Sequence, residues 1–244
     1  MSEQGHDAQM PEEGGRQPIF LLPGVVTAMV GLMVAIHLAA TFVLNQEGQN
    51  QLIIWFAFLP LRIVAMGEDP SLGLPLIWTP FTHALLHGGW EHLLVNMAWL
   101  AIFATPVARR YGPVPTLLIF FVASAAGAAA FAASTLWNGA YLVGASGGVA
   151  GLTGAAVRFI FQPVIVARHP ETGEQMLLGR KLASFTDVWR DSRARSFTLI
   201  WVVLNAAVPL LPLLTGTMVD IAWQAHLGGF FAGFLMVGLF ERRS

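Results

Sequence analysis

Long apolar runs recur along the chain, separated by short polar or Pro/Gly-containing segments. A helix needs roughly 20 mostly apolar residues to cross about 30 Å of hydrocarbon. Runs at 20–44, 91–110, 114–137, 197–214 and 220–240 meet that requirement or come close to it. A shorter run, 145–161, is rich in Gly and Ala and completes a predicted set of six spans. The segment 45–90 follows a different pattern: its apolar pieces are too short to cross a bilayer and are broken by Pro60, Pro70, Pro75 and Pro80. It also carries Trp55, Trp78 and Trp90, and this enrichment predicts a segment lying in the membrane interface.

Composition agrees with the pattern. Of 244 residues, 55% are hydrophobic and 11% charged, against about 25% charged in a soluble globular domain. Too few charges remain to wet a globule of this size, so most of the chain is expected to meet lipid. The net charge of −1 gives no electrostatic basis for a nucleic-acid partner. Cysteine is absent, which excludes disulfides, thiolate metal sites and a cysteine nucleophile. Residues 1–19 are polar, acidic and rich in Gly and Pro, and read as a disordered tail; they lack the basic start of a secretory signal. The remainder, 20–244, reads as one membrane domain.

Basic residues then set an orientation. With the N-terminus cytoplasmic, Arg16, Arg109, Arg110, Arg158, Arg168, Arg180, Lys181, Arg190, Arg193, Arg195, Arg242 and Arg243 fall on the cytoplasmic side, and Arg62 alone falls on the other. The stretch 162–196 becomes a basic cytoplasmic loop, either solvated or lying on anionic headgroups.

Polar residues inside spans are costly and invite a functional question. Gly144-Ala145-Ser146-Gly147-Gly148 opens the short fourth span. Glycines around a serine permit a tight turn and an unshielded hydroxyl, and a helix start offers free N–H groups to an oxyanion. The same residues also suit close helix packing, since Gly147 and Gly151 form a small-xxx-small pair. In the sixth span His226, Gly229 and Gly233 share one helical face. His226 is there either a base carried toward a close neighbour or a histidine bonded to a backbone carbonyl. His92 and Asn96 stand one turn apart at the start of the second span, as oxyanion donors or as interhelical glue. In the six-span topology all four polar residues enter from the same side and lie at a similar depth. A nucleophile, a base and two donors have reason to gather there; unrelated structural residues do not.

The segment from His87 to Met97 with His92 and Asn96, the Gly144-Ala145-Ser146-Gly147 turn, and Ala225-His226-Leu227-Gly228-Gly229 through Gly233 resemble the signature motifs of the rhomboid family in order and span position. The resemblance covers roughly 20–240. It implies an all-α bundle of six transmembrane helices acting as an intramembrane serine protease. Ser146 is then the nucleophile and His226 the general base and acid, with no third acid. Asn96, His92 and the Ser146 backbone N–H form the oxyanion hole, and Gly144, Gly147, Gly229 and Gly233 pack the helices at the site. The implied substrates are transmembrane proteins in the bilayer, and no metal or cofactor is required. The lack of mitochondrial-type Arg-rich targeting and the six-span layout favour a bacterial plasma membrane, with both termini cytoplasmic and the site towards the extracytoplasmic face. Where the family often has a Trp-Arg pair, Arg62 here follows Leu61, so no role for Arg62 carries over.

Other classes fit less well. His83, His87 and Glu91 are spaced for a helical metal site, but H-E-x-x-H is absent. No acids pair inside spans and no internal repeat is evident, as a transporter would suggest. An inactive membrane adaptor of the same family would typically have lost Ser146 or His226.

Overall fold

The computed structural model describes residues 22–168, 173, 175–210, 216 and 221–241. The tail 1–19, Arg16, Arg242 and Arg243 lie outside them, as do parts of the expected fifth span beyond 210 and the start of the sixth.

The protein is mostly helical. Helix α1 spans Gly24–Phe42. The segment after it holds α2 (Gln46–Phe56), α3 (Leu61–Ala65), a 3-10 turn (Pro70–Ile77) and α4 (Thr79–Thr82). Asn45 caps α2 by accepting from the Gly48 N–H at 2.9 Å, and the Arg62 guanidinium donates to the Ile54 carbonyl at the other end at 2.6 Å. Arg62 therefore fastens the segment to itself. Pro60, Pro70 and Pro80 stand at the starts of α3, the 3-10 turn and α4, where a proline is tolerated and opens a new piece.

Helices α5 (Trp90–Tyr111) and α6 (Pro113–Thr135) follow, separated by Gly112 at φ 83°. Glycine adopts that conformation without the Cβ penalty, and Pro113 fits the first helical position beyond it. Helix α7 runs Ser146–Ile160, α8 Phe185–Arg190, α9 Ser192–Ala206 and α10 Trp223–Met236, with a 3-10 turn over Val237–Phe240 extending α10. Among the described residues, four helices are long and apolar enough to cross a membrane: α1, α5, α6, and α10 with its extension. Helices α7 and α9 have 15 residues each, about 22 Å at 1.5 Å per residue.

The basic loop 162–196 is more ordered than its composition suggests. It contains an antiparallel hairpin, β1 (Val164–Arg168) on β2 (Gln175–Arg180), which is the one sheet among the described residues. Helix α8 starts with a capping box in which Ser184 and Asp187 bond reciprocally. The Ser184 hydrogen bonds hold the Asp187 carboxyl below its usual range. Helix α9 begins inside the expected loop, capped by Asp191 accepting from Arg193 and Ala194 N–H groups.

Helix α7 is the centre of the bundle, with every residue from Gly147 to Phe159 buried. Its small side chains let α6 and α10 approach to backbone contact. A Cβ on Gly229 would overlap the Gly147 carbonyl, one on Gly233 the Gly151 carbonyl, and one on Gly127 of α6 would stand 2.6 Å from the Ala225 carbonyl. Large apolar residues on the outer helices, among them Leu32, Leu94, Ile102, Leu118 and Leu235, are exposed. This inverts the pattern of a soluble protein and fits a lipid surround.

At the far end of α7, Arg158 donates to the Ala183 and Phe234 carbonyls at 2.6 and 2.9 Å. Arg110, at the end of α5, pairs with Glu241 at 2.7 Å and also donates to the Arg180 carbonyl. The C-terminal ends of α5, α7 and α10 therefore lie together, and the three helices run in the same direction.

Candidate active site

The opposite, N-terminal ends of those helices carry His92 and Asn96 on α5, Ser146 on α7 and His226 on α10. Ser146 is the first residue of α7, preceded by Ala145 in helical conformation and Gly144 at φ 116°. Gly144 has two reasons to be glycine. Its backbone lies in the left-handed region, and a Cβ there would sit 2.6 Å from both Cε1 and Nε2 of His92. The His92 ring thus rests on the turn that presents the serine.

That turn is fixed from outside as well. The Gly144 N–H donates to the His83 carbonyl at 2.9 Å, and Leu142 exchanges two backbone hydrogen bonds with Phe58, at 2.8 and 3.1 Å. The buried His83 ring lies with Nε2 3.4 Å from the Ser124 carbonyl of α6. His83 therefore buttresses the serine turn. Among the described residues, no three His, Asp or Glu side chains group as metal ligands.

Asn96 is buried one turn inside His92, and its amide donates to the His92 carbonyl at 2.9 Å, leaving a second N–H available. Its neighbours Leu93 and Met97 share a core cluster with Ala145 and Val149, which flank Ser146.

His226 approaches through the α7–α10 contact. The Gly147–Gly229 overlap brings the backbones together one residue from the serine and three from the histidine. A Cβ on Gly147 would also meet the Ala225 carbonyl at 3.4 Å. Ser146 and His226 are both half-buried, so they are neither sealed in the core nor turned out to the surround. The His226 ring meets a partner that the sequence pattern did not single out: Nδ1 lies 2.8 Å from Oδ1 of Asn205, near the end of α9. A single Asn in an apolar helix carries no spacing signal of its own; only the fold pairs it.

Beside His92 lies a cavity of about 350 Å³ lined in part by His37, Gln49, His87, Gly88, Trp90 and Tyr141. The His87 ring stands edge-on to His92 at 5.3 Å between centroids. Among the described residues, His37 Nε2 and both His87 ring nitrogens are buried without a hydrogen-bond partner. Buried polar atoms lining a roomy cavity are the setting in which ordered water is retained.

A chain with several apolar helices long enough to span, an apolar exterior and a polar cluster at one end is a multi-pass membrane protein. Residues 75–243 match the family model described as Rhomboid domain, and the chain belongs to the rhomboid family. It is similar to RHOMBOID-like protein 1 of Arabidopsis thaliana, 28% identical over 89% of this chain and 52% of that protein. It is also similar to Rhomboid protease GlpG of Pectobacterium atrosepticum, 31% identical over 84% of this chain and 60% of that protein. A third relative, RHOMBOID-like protein 6, mitochondrial, of Arabidopsis thaliana, is 23% identical over 89% of this chain and 67% of its own length. The chain spans about half the length of several curated relatives it matches.

Proposed function

We propose that this protein is an intramembrane serine endopeptidase that hydrolyses peptide bonds in or near transmembrane segments of membrane-protein substrates. The observation that supports the proposal is the backbone contact of α7 with α10 at Gly147 and Gly229, one residue from Ser146 and three from His226, at the half-buried end of the bundle. In this reading Ser146 Oγ attacks the scissile carbonyl while His226 takes the hydroxyl proton. The tetrahedral oxyanion is met by the Ser146 backbone N–H, the second Asn96 amide hydrogen and the His92 ring. His226 then protonates the leaving amine, and water releases the acyl group from Ser146 with His226 again as base. The His37–His87 cavity is suited to hold that water next to the site.

The same reading takes α7 and α9 as the fourth and fifth of six spans, α7 enclosed by its longer neighbours and α9 at the edge with most of its residues exposed. It takes 20–244 as the membrane domain and 1–19 as a tail outside it. The gathering of Arg110, Arg158 and Arg180 at the end away from the site supports cytoplasmic termini and an extracytoplasmic active site. The likeness to Rhomboid protease GlpG of Pectobacterium atrosepticum supports a bacterial plasma membrane.

The direct test is labelling of the purified chain in proteoliposomes by a fluorophosphonate, whose phosphorus an activated serine attacks with loss of fluoride. The parent is expected to label, and Ser146→Ala to lose both labelling and cleavage of a model transmembrane substrate. Full cleavage by Ser146→Ala would overturn the proposal. Asn96→Ala is expected to slow cleavage by about 10²-fold or less, because two other donors remain. Initial rates at saturating substrate check this, and an unchanged rate removes Asn96 from the oxyanion hole.

A further inference from the structure

Asn205 sits in an apolar stretch of α9, after Ile200, Trp201, Val202, Val203 and Leu204. An amide there is costly unless both its ends are hydrogen-bonded. Its Nδ2 donates to the Trp201 carbonyl one turn back, at 2.9 Å. A carbonyl can only accept, so this bond fixes which end of the amide is nitrogen. The oxygen end is thereby turned toward α10, where Oδ1 lies 2.8 Å from Nδ1 of His226.

We infer that Asn205 is a positioning residue that holds His226 in the tautomer and ring orientation needed to accept the Ser146 proton, an inference that rests on the serine-protease reading above. The chemistry follows from the donor inventory. Oδ1 only accepts, so the bond requires hydrogen on Nδ1. A neutral imidazole carries one N–H, so Nε2 is left with its lone pair free to take a proton. Among the described residues no other side chain hydrogen-bonds the His226 ring, so its orientation rests on this contact. Helix α9 is itself anchored one turn further along α10, where Trp201 stacks on Phe230 at 4.5 Å and 21°. The amide is neutral, so it orients the ring without supplying the charge that a carboxylate brings to a triad.

The test combines ¹⁵N NMR of histidine-labelled full chain in detergent, with the His226 signal assigned by difference against His226→Gln, and fluorophosphonate labelling rates. The parent is expected to show the Nδ1–H form. Asn205→Leu and Asn205→Ala are expected to shift His226 toward the Nε2–H form that free imidazoles favour, and to slow labelling by about 10- to 100-fold. Asn205→Asp, which keeps an acceptor at the same reach, is expected to recover most of the rate. An Nε2–H signal for His226 in the parent overturns the inference whether or not the Asn205 variants fold. So do parent-like rates in Asn205→Leu or Asn205→Ala with only a lower melting temperature, which is what a purely adhesive amide would give. These outcomes leave the Ser146–His226 reading standing, whereas labelling that persists in Ser146→Ala overturns that reading itself.

Discussion

Replacing His226 by alanine is expected to slow cleavage of a reconstituted transmembrane substrate by about 10⁴-fold or more, with little change in folding. The hydroxyl of Ser146 is a weak nucleophile until a base removes its proton, and among the polar residues at that end of the bundle His226 is the one whose helix meets α7 backbone to backbone. His92 is engaged otherwise, against the Gly144 turn. Because nucleophile and base act as a unit, the double variant Ser146→Ala/His226→Ala is expected to be no slower than either single one. Cleavage followed by mass spectrometry in proteoliposomes, beside melting curves of each variant, measures both quantities. A His226→Ala rate within about tenfold of the parent, or losses that multiply in the double variant, would show that the two residues do not cooperate.

The second large effect is structural. Gly233→Leu is expected to destabilise the bundle by more than about 3 kcal/mol and to abolish labelling at Ser146, although neither reacting side chain is altered. Overpacking a core usually costs about 1–3 kcal/mol because neighbouring side chains can shift. Here the first new atom would overlap the Gly151 carbonyl, and backbone inside a helix cannot give way without moving the helix. Separating α10 from α7 also separates the histidine from the serine. Gly31→Leu on α1 is the control: nothing lies within 4 Å of a Cβ at that position. Leucine there replaces a poor helix former and should leave stability unchanged or slightly higher. Unfolding titrations of both variants in mixed detergent micelles decide the matter, and equal shifts would refute the close-packing account.

Much of this was legible in the residue pattern because lipid imposes simple rules. The expected second and third spans, 91–110 and 114–137, correspond to helices Trp90–Tyr111 and Pro113–Thr135, whose ends are marked by Gly112 and Pro113. The glycine face of α10 could be read from its spacing, and the structure supplies its partner, the equally spaced Gly147 and Gly151. The start of α9 was less visible. Hydropathy rises only at Phe197, yet Asp191 caps the helix two turns earlier and carries Arg193 and Arg195 into its first turn. In the hairpin of β1 and β2 the β-branched run Val164-Ile165-Val166 is a local strand signal, but its pairing with β2 is a matter of backbone register. The Phe58–Leu142 bridge and the Asn205–His226 contact join residues far apart in sequence, and nothing local to either partner announces the other.

The central place of α7 has a consequence for how the protein is made. Its closest partner, α10, follows it in the chain only after α8 and α9. Until α10 arrives, the glycine seam on α7 lacks the backbone it packs against. The serine turn is thus laid down before the helix that carries His226, so a nascent chain arrested after α9 carries Ser146 without His226.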